Sequence, residues 1–175
     1  MDEDVALIGQ IIGEHKLILQ KVRTLEGVTN DLSAMLELEK AEEDFVPGRF
    51  SDQRQALQSW QEAIEAVDQG LQAHFEREET GVLTIFEKHG GGMLASALHI
   101  LLHEHEELRN RIAKLKEDAA ELATGELSRE VWEGKVWGIR SYIGHTRKLI
   151  EAHARSEMEL LQTLRSRLQR ENRGE

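Results

Sequence analysis

"AHFEREET", residues 73–80, closes a stretch in which apolar residues recur every three or four positions, and it puts His74 and Glu78 where the next two apolar residues should fall. A helix that spends two consecutive interior positions on an imidazole and a carboxylate must compensate them. An unpaired buried charge costs several kcal/mol, against a typical total stability of roughly 5–15 kcal/mol.

The stripe that carries this pair reads Leu57, Trp60, Ile64, Val67, Leu71, His74, Glu78, Val82, Ile85. Three other stretches have the same three-four spacing. The first reads Ile8, Ile11, His15, Ile18, Val22, Leu25, Thr29, Leu32, Leu36, with one histidine in the run. The third reads Leu94, Leu98, Leu101, His105, Leu108, Ile112, Leu115, Ala119, Leu122. The fourth reads Trp132, Val136, Ile139, Ile143, Thr146, Ile150, His153, Glu157, Leu160, Leu164, Leu168, and repeats the His-Glu pair at the same spacing.

Punctuation separates the stretches. "KAEEDFVPGRFSD" holds the only proline, Pro47, followed by Gly48, and ends on Ser51 or Asp52 as a helix cap. The triplet Gly90–Gly92 marks a tight helix–helix connection, since a phosphate-cradling loop would need a preceding strand. Gly125 supplies a stop and Ser128 the next cap. The expectation is all-α, an up-down-up-down antiparallel four-helix bundle forming a single domain over residues 1–175, with helices at roughly 4–39, 52–88, 92–124 and 128–170.

Composition bounds the function. The chain has 175 residues, 39% of them apolar, which suffices for one buried core. A formal charge of -11 disfavours nucleic acid and anionic membranes as partners and suits cations. With no cysteine, thiolate metal sites, iron–sulfur clusters and cysteine nucleophiles are excluded. The N-terminus lacks a basic region before its apolar residues and no run reaches spanning length, so a cytoplasmic location is expected.

Depth along the bundle brings the polar interior positions together. With the four helix ends near residues 4, 88, 92 and 170 at one level, His15, His74, His105 and His153 lie roughly 16, 21, 20 and 26 Å above it at 1.5 Å per residue. Glu78 and Glu157, one turn from His74 and His153, fall in the same slab. A polar layer that only fixes register is best attested for single buried residues. Six at one level point instead to a metal site, and imidazole with carboxylate suits iron, manganese or zinc, iron above all where positions must stay open for a small ligand. If both glutamates bridge, these groups fill about eight of the twelve positions around two octahedral ions.

The order His15 in "GEHKLIL", His74 and Glu78 in "HFEREE", His105 in "EHEEL", and His153 with Glu157 in "HARSE" resembles the hemerythrin-like (HHE cation-binding) family over nearly the whole chain. The resemblance implies two iron ions (Fe2+/Fe3+) with an oxo or hydroxo bridge. It implies binding or processing of oxygen, nitric oxide or peroxide, sensing through a protein partner, iron storage, or an oxidoreductase acting on peroxide or nitric oxide. Oxygen-carrying members have HxxxH on the third helix and HxxxxD on the fourth, whereas Leu101 and Arg109 flank His105 here and Met158 stands at the aspartate position. That departure points away from a dedicated oxygen carrier. The cysteines of the iron–sulfur-repair branch and the ExxH pairs of ferritin-like proteins are also missing. A metal-free interaction bundle is the remaining alternative, and the sequence carries no indication of oligomeric state.

Other residues have plainer readings. His103 lies about 200° around its helix from His105 and should face solvent, as should His99. His89 is expected at a helix end, and His145, about 12 Å along the axis from His153, in the flank near Tyr142 and Leu149, as polar packing in preference to part of an entry route. Trp60, Trp132 and Trp137 are spaced as core or boundary aromatics, with no sign of base stacking. The basic run "RSRLQRENR" is expected to offset the negative end of the last helix.

Overall fold

A computed structural model describes residues 2–39, 51–124 and 126–173 of the chain. Among the described residues the protein is all helical, without a strand. Helix α1 spans Asp2–Glu39 and α2 spans Ser51–Arg77; a π-helical turn at Glu78–Val82, the short α3 (Leu83–Ile85) and a second π turn at Phe86–Gly90 continue α2, followed by α4 (Gly91–Ala123) and α5 (Arg129–Arg173). No helix among the described residues is long and apolar enough to cross a membrane.

Local chemistry sets several of these boundaries. Asp2, Glu3 and Asp4 open α1, where the helix dipole favours negative charge. Ser128 caps α5 as its position predicts: its hydroxyl accepts from the Val131 N–H at 3.4 Å and its carbonyl from the Trp132 N–H at 2.9 Å. The Pro47–Gly48 loop, the Gly125 stop and the side chain of Leu36 lie outside the described residues.

Two features differ from the periodicity. The second stretch is not a continuous α-helix, because the Leu83 N–H bonds the Glu78 carbonyl five residues back and opens a π turn. Each π turn accommodates an extra residue, so Phe86 is buried beside the expected Ile85. The glycine triplet is the tight helix–helix connection its sequence predicts, with the second π turn ending at Gly90 and α4 beginning at Gly91. Only Gly91 takes the left-handed conformation, with φ 70°, and Gly92 already lies within α4. On α5 the buried stripe passes from Glu157 to Leu161 and Leu164, leaving Leu160 partly exposed in place of its expected interior position.

The chain divides into two compact units. The first comprises Met1–Leu19, Gly70–Arg109 and Leu149–Glu175. Its apolar core joins Ile8 and Ile11 to Val82, Ile85, Phe86, Leu98, Leu161, Leu164 and Leu168. Gly81 permits a close approach here, since a Cβ would come within 2.8 Å of Leu7 Cδ2. Polar contacts set the register of its segments. Asp4 lies 3.4 Å from His89 and Glu14 lies 3.0 Å from Arg77, while Asn172 donates to Asp2 at 3.3 Å and Arg167 to the Gly90 carbonyl at 3.3 Å.

The second unit comprises Gln20–Gln69 and Asn110–Lys148. Trp60 and Trp132 are fully buried in it, and each indole N–H is satisfied: Trp60 donates to Thr29 Oγ1 at 2.9 Å and Trp132 to the Leu122 carbonyl at 3.2 Å. Trp137 is 60% exposed, so this tryptophan is not a core residue. Lys116 joins Glu65 at 2.8 Å and Asp68 at 2.6 Å across the unit's surface.

Candidate metal centre

All six polar positions singled out by periodicity lie in the first unit, and all are buried. His15 comes from α1, His74 from the last turn of α2, Glu78 from the start of the π turn, His105 from α4, and His153 and Glu157 from α5. Their potential ligand atoms form two overlapping groups, His15–His74–Glu78–Glu157 and Glu78–His105–His153, each with its atoms within 4.8 Å of one another. Glu78 belongs to both. Its Oε1 lies 2.7 Å from His74 Nε2 and 3.7 Å from His15 Nε2, while its Oε2 lies 3.3 Å from His105 Nε2. Glu157 Oε2 lies 3.1 Å from His15 Nε2 and 3.5 Å from His153 Nε2.

Three of the four imidazoles are held from behind by carboxylates. His74 Nδ1 lies 3.1 Å from Glu14, His105 Nδ1 lies 2.8 Å from Glu79, and His153 Nδ1 lies 2.9 Å from Glu104. Arg77 pairs with Glu14 at 3.0 Å, and Arg109 pairs with Glu79 at 2.8 Å. Against burial that would raise them, Glu14 is held below the usual carboxylate range by its hydrogen bonds to His74, Gln10 and Arg77, and Glu79 by those to Arg109 and His105. Phe75 stacks on His105 with ring centroids 3.8 Å apart, and the Arg109 guanidinium covers the same phenyl ring at 5.1 Å.

This arrangement fixes where lone pairs point. A histidine that donates its Nδ1–H to a carboxylate presents an unprotonated Nε2. His105 Nε2 and His153 Nε2 are 3.1 Å apart, so both lone pairs face the same small volume. Likewise His74 Nε2 meets Glu78 Oε1 at 2.7 Å without hydrogen-bond geometry, and both Glu78 oxygens and Glu157 Oε1 are buried without a hydrogen bond. Opposed lone pairs and anionic oxygens repel one another unless a cation or a proton lies between them. The donor set therefore fits a metal ion: imidazole nitrogens and carboxylate oxygens, oriented from behind and aimed inward.

The protonation equilibria carry the same strain. Burial pushes the Glu78 carboxyl up to about 8, aided by the negative charge of Glu157 and opposed by His105. Burial also acts to raise Glu157, but the hydrogen bonds and charges of His15 and His153 outweigh it and hold that carboxyl well below the usual range. Burial holds His74 low, whereas His153 is raised because Glu157 and Glu104 overcome its desolvation. Without a metal, the glutamate pair is a neutral acid beside a carboxylate.

The outer carboxylates escape a reading of periodicity, because each touches a histidine on another helix. Glu14 and Glu104 precede His15 and His105 in sequence yet bond to His74 and His153, and Glu79 follows Glu78 yet bonds to His105. The signal available was acidic neighbours of the interior histidines, with nothing to say which imidazole each would meet. His15 differs, since its Nδ1 is buried without a hydrogen bond. His103 and His99 are exposed as expected, and His89 lies beside Asp4 at the end of the second π turn. His145 is exposed and lines a groove of the second unit, which corrects its reading as flanking packing. No protein-family model, curated protein or solved structure matches this chain.

Proposed function

We propose that the chain is a hemerythrin-like, non-haem di-iron protein that binds or processes a small ligand such as oxygen, nitric oxide or peroxide. The observation that carries this reading is the buried meeting of four imidazole nitrogens and two carboxylates in two groups sharing Glu78. We further propose that the helical segments of the first unit run up-down-up-down. The pairing of Asp4 with His89 and Glu14 with Arg77, and of Asp2 with Asn172 and His15 with Glu157, supports alternating directions.

In this reading His15, His74, Glu78 and Glu157 hold one ion, and Glu78, His105 and His153 hold the other. Iron bound there would supply one-electron chemistry and positions open to a small exogenous ligand. The chain supplies the rest. Glu14, Glu79 and Glu104 orient the imidazoles, and Phe75 with the apolar core keeps bulk water from the layer. The donor set alone admits manganese or zinc as well as iron.

The test is spectroscopic. Iron-loaded protein, oxidised, should give a new visible band on titration with azide, and the reduced protein should change its spectrum with nitric oxide. Glu78→Ala and Glu157→Ala should abolish both. Spectra that stay unchanged with either ligand would mean a closed site, and the reading would retreat to metal storage or a metal-stabilised scaffold.

A further inference from the structure

In the second unit, α5 runs through "WGIRSYIGHTRK", residues 137–148, which holds Arg140, Arg147, Lys148 and His145 and no carboxylate. This is a local reversal of charge in a chain whose formal net charge is -11. Trp137, Ser141, Gly144 and Lys148 are spaced four, three and four apart and so share one face of the helix, with Arg140 and Arg147 seven apart along its flank. The structure shows a groove of about 450 Å³ along that face, lined by these residues, by His145, and by Glu26 of α1.

The charges in the groove are not equivalent. Glu26, its one acidic wall, is engaged by Arg147 at 2.7 Å. Arg140 and Lys148 are exposed and have no ion-pair partner among the described residues. Trp137 leaves 60% of its surface open at the same place, although the other two tryptophans of the chain are fully buried. An indole held at a surface beside two unengaged cations offers a face for stacking and a seat for an anion.

We propose that this groove binds a small anion that joins a planar aromatic ring to a phosphate, a nucleoside phosphate being the fitting class. The ring stacks on the Trp137 indole, and the phosphate oxygens take Arg140 and Lys148, with the Ser141 hydroxyl within the same face. Arg147, already bound to Glu26, fixes the groove wall. The cationic run is too short, and the chain too acidic elsewhere, for a nucleic-acid polymer to be the natural occupant. This site is independent of the metal reading, because none of its residues belongs to the first unit.

The experiment is a titration of the full-length chain with adenosine diphosphate at low ionic strength, followed by tryptophan fluorescence and by calorimetry. Trp60 and Trp132 are fully buried, so quenching by a surface ligand reports Trp137. Saturable binding with a dissociation constant below about 1 mM is expected. By calorimetry, the Arg140→Ala/Lys148→Ala double variant and Trp137→Ala should each weaken binding at least tenfold while keeping the wild-type circular dichroism and metal content. Adenosine alone and pyrophosphate alone should each bind at least tenfold more weakly than the diphosphate. The proposal is overturned if binding does not saturate, if the folded variants bind as the wild type does, or if either half of the ligand binds as well as the whole.

Discussion

Glu78 provides the sharpest energetic consequence of the buried layer. Its carboxyl is pushed up to about 8 in the folded chain from an ordinary value of 4.5, chiefly by burial. Folding of the metal-free protein therefore takes up a proton that the unfolded chain does not hold between those values. The associated stability is fully present below pH 4.5 and is lost as the pH rises through about 8. At about 1.36 kcal/mol for each tenfold change in proton affinity, the displacement sets a ceiling of about 5 kcal/mol, with a loss of a few kcal/mol expected in solution. His74, held low, contributes stability that is lost as the pH falls, whereas His153, raised, contributes stability that is lost as the pH rises. Both contributions keep their sign in a Glu78→Gln variant, where Glu157 and Glu104 still raise His153, and the variant keeps the shape of the side chain while removing its titration. The assay is urea denaturation of chelator-treated protein at pH 5.5 and 8.5, with the wild type compared with the variant. The wild type should lose more stability than Glu78→Gln over this interval, by a few kcal/mol. Equal losses in the two proteins would refute the placement of a desolvated, proton-bearing Glu78 at the centre of the layer.

His105→Ala should lose at least one metal ion per chain while His103→Ala retains both, as read by elemental analysis; the opposite outcome would put the wrong face of α4 inward. Glu79→Gln and Glu104→Gln should each weaken metal affinity by about 10–100-fold in chelator competition, because they remove the anion that orients His105 or His153. Leu161→Ala should cost about 2–5 kcal/mol in chemical denaturation and Leu160→Ala distinctly less, since Leu161 is fully buried and Leu160 only partly.

The helices and the inner polar layer were legible because a regular helix writes its buried face into the sequence every three or four residues. His15, His74, Glu78, His105, His153 and Glu157 interrupt otherwise apolar stripes, and the structure buries all six in one unit. The Ser128 cap was legible for a similarly local reason, a hydroxyl bonded within the next turn. Where local rules compete with packing, the reading failed. No residue type marks a π turn, so the break at Glu78 and the burial of Phe86 were hidden. Leu160 and Leu161 are equally apolar, and only the packing of α5 against the core selects one of them. Glu14, Glu79 and Glu104 were silent because their partners lie on other helices, and Trp137 stayed open between core and boundary because spacing does not reveal which side of a stripe is left uncovered.

The central claim is that the buried layer exists to hold metal. Elemental analysis of the purified chain, expressed in iron-replete medium and desalted without chelator, tests it directly. The proposed di-iron reading, with two groups sharing Glu78, predicts close to two ions per chain, predominantly iron. A folded, helical protein with a metal content near zero would contradict it.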